Sequence, residues 1–463
     1  MDRPSPEILA RMPLAEAVLL LWRWVADADH LQSLFERFRG RCYERRISFP
    51  LMVQLICDAL LRYEGSARRS FERSEEQGEL AASLRAAYGK LSRMPIPLSM
   101  GFFAESSDRL RALYPDHAMA TLPKSLNAFQ VVVLDGKAIK RVAKRLKSLR
   151  GIPGGLLGGR ALVALDMTKA LVVAMHVHPD GDAHEVRFVP ELLPEVRRRL
   201  PGPRLWVADR AFGDLANIAR FNEEGDHYVL RYHPKSPLIP DAERPAQEGK
   251  DDQGRGYVEQ WGWLGSLANR QRRYVRWITL HRPGEEDIIL MTDLLDAHEH
   301  PATDLLNLYL ERWGVERVFQ QVTEVFGLTS LIGSTPEATI FQFAFCLLLY
   351  NMIQVAGAFI AVAQPRPRET ISTEKLFQDV TQELMAWNVM MDVGVTVAYF
   401  DRPWTVLAVR RRLERLLHSV WSDRWIKSPP QKRRLTPKAA TARTHNSVYR
   451  ILQNYRRKIT HKR

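Results

Sequence analysis

The sequence predicts an α/β protein: a strand-and-helix core interrupted by a β-rich insertion, a helical domain before it, and a helical, basic region after it. Three observations predict this. Short β-branched apolar runs, VVVLD ending at Asp135 and RLWVAD ending at Asp209, lie either side of a helical stretch. Four further strand-like runs crowd between Tyr228 and Leu295. Apolar residues at helical spacing fill the chain before residue 125 and return after Ala302.

Taken in order, residues 1–125 read as helices separated by breakers. Leu14 to Ala26 and Pro50 to Tyr63 carry the helical spacing, and Pro95 and Pro97 close the region. Arginines at 41, 45, 46, 62, 68, 69 and 73 make its middle basic, which suits either a DNA-binding domain or a solvated helical face. Residues 126–226 hold QVVVLDGKAI, RALVALDMT and ALVVAMHVHP, the last two separated by a turn near Lys169. A helix from about His184 to Leu200, the strand RLWVADRAF and a helix from Gly213 follow. The basic, glycine-rich interval 140–160 reads as a mobile loop. Residues 227–296 form the insertion, with HYVLRY, GYVEQWGWL, RYVRWITLH and DIILMTDL as strands and 240–256 as an exposed loop. Helical spacing over 297–364 completes the core. Residues 365–423 read as helix, the strand-like VGVTVAYF and a basic helix, and 424–463 as a basic tail.

The 463 residues carry 67 Lys and Arg against 53 Asp and Glu, a net charge of +14. That bias points to a polyanionic partner, most simply nucleic acid. It is concentrated at the end: residues 424–463 hold thirteen basic residues and no acidic one. A phosphate-contacting arm including Lys432, Arg433 and Arg434 is the expected use of that tail. Cys42, Cys57 and Cys346 are scattered, odd in number and without zinc-ligand spacing, so they read as reduced thiols. The N-terminus lacks a signal-length apolar core. The apolar stretch 340–363 is interrupted by Gln342, Asn351 and Gln354, which favours a buried helix over a membrane span. The expected localisation is cytoplasmic.

Asp135 and Asp209 stand where strands leave the core, at fixed and partly dry points. Asp135 ends the first predicted strand of the unit and Asp209 the fourth. Their rivals have local explanations: Asp166 sits in a hairpin turn, Asp214 caps a helix, and Asp293 ends a strand without comparable neighbours. Tyr309, Arg312 and Glu316 are spaced by three and four, which puts them on one helical face within roughly 60°. An exposed Arg312–Glu316 ion pair alone would not need Tyr309 and Trp313 alongside. Two strand-end carboxylates and one on a helix are the donor set that two-metal phosphodiester chemistry uses.

With these motifs, the chain resembles the DDE transposases of bacterial insertion sequences, and the insertion-sequence-four family in particular. The resemblance is carried by DGK at 135–137, WVADRAFGD around Asp209 and Tyr309-x2-Arg312-x3-Glu316, with MTDL before that helix and LIGSTPEA after it. It spans residues 131–354. The family signature is Tyr-x2-Arg-x3-Glu-x6-Lys. Here the lysine position is Thr323, and Ala211 stands where the family commonly has glycine.

The resemblance implies an RNase H-like catalytic core with a β-strand insertion. It also implies two Mg²⁺ ions, with Mn²⁺ as a substitute, held by Asp135, Asp209 and Glu316. The expected activity is endonucleolytic cleavage at transposon ends and strand transfer into target DNA, on double-stranded DNA near the bacterial nucleoid. Pairing of two ends implies a dimer. Tyr309, Arg312 and Lys137 are then expected at DNA phosphates, and Trp261 and Trp263 are candidates for stacking on an end base. A nuclease that cuts without joining, or a DNA-binding derivative with the chemistry lost, are the alternatives.

Overall fold

The computed structural model describes residues 5–460 except 64, 141, 267, 313–317, 321, 323–331, 392 and 428–444. A large mixed sheet flanked by many helices forms its centre. Strands β1 (Gln130–Lys140), β2 (Gly155–Asp166) and β3 (Leu171–His178) pair antiparallel in series. The β2–β3 turn is closed by Asp166, whose Oδ1 accepts from the Thr168 amide and hydroxyl. Helix Val189–Arg199 then crosses over to β4 (Arg204–Ala208), which lies parallel to β1. Helix Leu215–Phe221 crosses to β5 (His227–Arg231), parallel to β4. The order is therefore β3-β2-β1-β4-β5.

The strands that follow extend the same sheet. β10 (Ile288–Thr292) pairs with β5, and β9 (Arg273–Leu280), β8 (Gly256–Leu264) and β6 (Leu238–Pro240) continue outward, with β7 (Gln247–Lys250) also on β8. His227–Arg231, grouped with the insertion on its sequence, pairs parallel with β4 on one side and antiparallel with β10 on the other. Residues 247–250 are strand where a loop was expected. They are polar and exposed, so only their backbone pairing with β8 reveals them.

Alternation divides the sheet into two faces. Val132, Leu134, Trp206, Ala208, Tyr228 and Leu230 pack under helix Val189–Arg199. Val131, Val133, Leu205, Val207 and Val229 face the opposite core, shared with helix Pro336–Ala363 and with helices from both ends of the chain. Pro336–Ala363 is the helix, among the described residues, long and apolar enough to cross a membrane, and 94% of its 18-residue apolar window is buried inside the protein.

The three polar side chains of that helix show how a buried setting is made tolerable. Gln342 Oε1 accepts from the Ile332 amide at 2.7 Å. Asn351 accepts from the Val172 amide and donates to its carbonyl, at 2.9 and 2.7 Å, and also reaches Ser107. Gln354 donates to Thr373 Oγ1 at 3.0 Å.

The helices before residue 125 share this core with those after 365. Glu383 accepts from the Leu14 and Ala15 amides at 2.8 and 3.0 Å, at the start of helix Pro13–Val25. Buried Glu16 of that helix is bonded by Arg412 and Tyr399. The strand expected over VGVTVAYF is instead helix Val393–Phe400. Its β-branched residues favour a strand locally, but Val395, Thr396, Tyr399 and Phe400 recur at helical spacing around Trp387, whose indole donates to Thr396.

At the other edge of the sheet, the interval 140–160 is narrower than its composition suggests, because β1 runs to Lys140 and β2 begins at Gly155. In the basic tail, His445–Ser447 forms β11, parallel to β2, and Val448–Thr460 is a helix.

Candidate active site

The parallel pairing of β1, β4 and β5 stops on one level, but β1 itself runs on to Lys140 because β2 continues to pair with it, so Asp135, expected to end its strand, ends only the β1–β4 pairing. Leu134 pairs with Ala208, and Ala208 with Leu230. One residue further on in each strand come Asp135, Asp209 and Arg231, a row across the sheet. Two residues before them, Val133, Val207 and Val229 all face the core of the long helix. Alternation therefore turns Asp135, Asp209 and Arg231 to that same face. Neighbouring strands lie about 4.8 Å apart, so the two carboxylates are neighbours. Asp135 and Asp209 are each half-buried.

Local structure holds both. Asp135 Oδ1 accepts from the amide of Gly136 at 2.9 Å. Asp209 leads into the turn Arg210–Phe212, where the Phe212 amide donates back to the Asp209 carbonyl at 3.0 Å. Their rivals are engaged elsewhere. Asp166 closes its hairpin, Asp214 accepts from the Asn217 amide as a helix cap, and Asp293 bonds the Tyr228 amide and His227.

Helix Ala302–Glu311 brings its last turn to this site through Tyr309. Its start is tied down by Ser125, which donates to Asp304 at 2.6 Å. The preceding His300 is held through its carbonyl by Arg276 at 2.6 Å. Tyr309, only 2% exposed, brings its hydroxyl 3.4 Å from Asp209 Oδ1. Burial pushes this phenol up to about 12; the Asp209 charge adds to that and Arg312 opposes it. Tyr309 is therefore a neutral donor toward Asp209 at ordinary pH. Arg312, also buried, lies with its guanidinium 5.4 Å from the Tyr309 ring centre.

Lys137 follows Asp135 by two residues on β1. Its ammonium is 5.3 Å from the ring centre of Phe319, a buried residue of the helical turn 318–320. Glu316 and Thr323 lie outside the described residues, as do Lys432, Arg433 and Arg434. Among the described residues no group of three His, Cys, Asp or Glu is arranged to hold a metal ion. The Asp135–Asp209 pair offers carboxylate oxygens only, the donor type that Mg²⁺ and Mn²⁺ prefer.

Of the residues singled out from the sequence, Asp135, Asp209, Tyr309, Arg312 and Lys137 are brought to one region. The tryptophans are not. Trp261 is fully buried: its indole donates to the Leu295 carbonyl at 2.9 Å, and the guanidinium of Arg244 lies 3.8 Å from its ring centre. It offers no face to a base, which corrects its candidacy for stacking. Trp263 is partly exposed, beneath Arg272 at 4.2 Å and edge-on to Tyr274.

Arg231 escaped the sequence reading, although its signal was present. HYVLR ends in an ionisable residue as VVVLD and RLWVAD do, but a cation there does not look like a metal ligand. Only the register of β4 and β5 puts it beside Asp209.

Residues 128–352 match the family model described as the transposase DDE domain. This similarity, over just under half of the chain, supports a DDE transposase. No curated protein matches the chain. Among solved structures, the chain is similar to one described as the cryo-EM structure of a piggyBac transposase synaptic complex with hairpin DNA. Identity is 12%, with 90% of this chain and 78% of that one covered, and a TM-score of 0.34, too low to carry an argument.

Proposed function

We propose that this chain is a DNA transposase that cuts phosphodiester bonds at transposon ends and joins the freed 3′-hydroxyl to target DNA. The observation that carries the reading is the Asp135–Asp209 juxtaposition, two carboxylates on one face and one level of parallel strands, within the residues that match the transposase DDE domain. The strand order β3-β2-β1-β4-β5, with acidic residues just beyond the last β1–β4 pair, supports an RNase H-like core. Glu316 is proposed as the third carboxylate. The residues around it favour this, since Arg312 lies by Tyr309 and Phe319 by Lys137.

Asp135, Asp209 and Glu316 would hold two divalent cations, which when bound supply activation of the attacking oxygen and charge stabilisation of the leaving one. Asp135 and Asp209 contribute rigidity: each is fixed by a strand whose preceding residues are buried. Tyr309, a neutral donor, biases which Asp209 oxygen faces the substrate. Arg312 offers a planar cation suited to a phosphate, and Lys137 a second positive charge. The insertion-sequence-four assignment rests on the Tyr309, Arg312 and Glu316 spacing. Thr323 takes the place of the signature lysine, so phosphate handling there falls to other cations. Duplex DNA as partner, a dimer at paired ends and a cytoplasmic, nucleoid-associated location belong to the same proposal.

The test is a plasmid carrying the DNA that flanks the gene, incubated with protein and Mg²⁺ or Mn²⁺. Cleavage and joining that Asp135→Ala, Asp209→Ala and Glu316→Ala each abolish, while DNA binding persists, is the expected result. Cleavage without joining would make the chain a nuclease. Binding with no cleavage by the unaltered protein would make it a DNA-binding derivative.

A further inference from the structure

We propose that Arg210 and Arg231 form a phosphodiester-binding subsite beside Asp209, occupied in the DNA-free protein by the carboxylate of Glu286. This inference deepens the transposase reading and rests on it. Arg231 is the third member of the strand-end row, on the face shared by Asp135 and Asp209. Arg210 follows Asp209 directly. The turn that carries it is seated on the end of β5: a Cβ at Gly213 would lie 3.3 Å from the Arg231 carbonyl.

The two guanidiniums converge on opposite oxygens of one anion. Arg231 Nη2 is 3.2 Å from Glu286 Oε2, and Arg210 Nη1 is 3.8 Å from Glu286 Oε1. Two planar cations on the two oxygens of a single negative group is also the arrangement that recognises the non-bridging oxygens of a phosphodiester.

What separates this trio from a structural ion pair is exposure. In the same sheet, Asp226 is wholly buried, and Arg197 and Arg204 hold it with side chains 7% and 6% exposed. Glu286 sits in the β9–β10 turn with 71% of its side chain exposed, Arg210 is 50% exposed, and Arg231, the most enclosed of the three, is 21% exposed. Exposed pairs of this kind contribute about 0–1 kcal/mol, so an incoming phosphate displaces the glutamate at little cost. The trio carries a net charge of +1 beside two carboxylates. It supplies attraction for the DNA backbone where those carboxylates repel it.

The experiment measures binding of a duplex oligonucleotide from the gene's flanking DNA by fluorescence anisotropy, without Mg²⁺ and across a salt series. Each phosphate contact contributes about 0.9 to the slope of log affinity against log salt. Arg231→Ala and Arg210→Ala should each reduce the slope by about 1 and weaken binding several-fold. Glu286→Gln, at an exposed turn where folding is not at risk, should tighten binding about threefold. That opposite sign separates a subsite from structural damage.

Unchanged affinity and slope in both arginine variants, or weaker binding by Glu286→Gln, would overturn the subsite. Cleavage with Mg²⁺ is scored on the same duplex. Shifted slopes with no cleavage by the unaltered protein would sink the transposase reading and leave the DNA contact standing. Failure of the unaltered protein to bind the duplex would overturn both.

Discussion

Asp135 and Asp209 each stand one residue beyond the Leu134–Ala208 pair, on adjacent parallel strands, and so share a level and a face. Two like charges about 5 Å apart repel by about 1–3 kcal/mol at effective dielectrics between water and a protein surface. A cation held by both carboxylates would relieve that repulsion.

Metal binding should therefore appear as stability. Mg²⁺ or Mn²⁺ at 100 times its Kd should stabilise the unaltered protein by about 2.7 kcal/mol, read as a higher Tm in calorimetry. Asp135→Asn and Asp209→Asn should lose that response, while being at least as stable as the parent in chelator. A metal response retained by both variants would place the cation elsewhere.

Tyr309 is neutral over the ordinary working pH range, because burial pushes its phenol up to about 12. Tyr309→Phe removes the donor to Asp209 and leaves the ring's packing. Cleavage should fall about 3–10-fold, the scale of one ordinary hydrogen bond, with no change in the pH profile between 6 and 9. A profile that moved would mean that Tyr309 titrates during turnover.

Asn351 serves both the amide and the carbonyl of Val172 from inside the long helix. Asn351→Ala leaves two buried backbone groups unpaired and should cost about 2–4 kcal/mol in denaturant unfolding. Cleavage per folded molecule should be retained, since Val172 lies on β3, away from the Asp135 and Asp209 strand ends.

Trp261 and Trp263 should part company in the same way. Trp261→Ala empties a core position and should destabilise by about 3–5 kcal/mol. Trp263→Ala should cost about 1 kcal/mol or less as a partly exposed position, and it is the variant whose DNA affinity tests for base stacking.

The His30 imidazole is lowered to about 4, by burial first and by Arg109 next. Between about 6.5 and 4 the unfolded chain binds a proton that the folded chain does not. The contribution of this group to stability therefore falls as pH drops through that window. Replacing it, as in His30→Gln, should flatten the acid side of the stability–pH curve over the same range. An unchanged curve would show that other groups dominate acid unfolding.

Much of this was legible in the sequence because it is local. The sequence placed Asp209 at a strand end and assigned Asp166 and Asp214 to a turn and a cap, whereas Asp135, expected at a strand end too, lies within β1, which its pairing with β2 extends to Lys140. Polar interruptions marked the long helix as a buried one. Legibility stopped where neighbours outvote propensity. VGVTVAYF is helical because its side chains pack around Trp387 at helical spacing. Trp261 is internal because Arg244, Arg276 and the Leu295 carbonyl enclose it.

The sequence by itself determined which faces of the core strands and helices are apolar, since periods of 2 and 3.6 are properties of a segment alone. Tertiary structure decided which ends meet. Pairing partner and register join residues far apart in the chain, Leu134 with Ala208 and Ala208 with Leu230. No local period carries that information, because strand pairing is specified by packing across the whole sheet. That packing put Arg231 in the row with Asp135 and Asp209, and laid His445–Ser447 along β2.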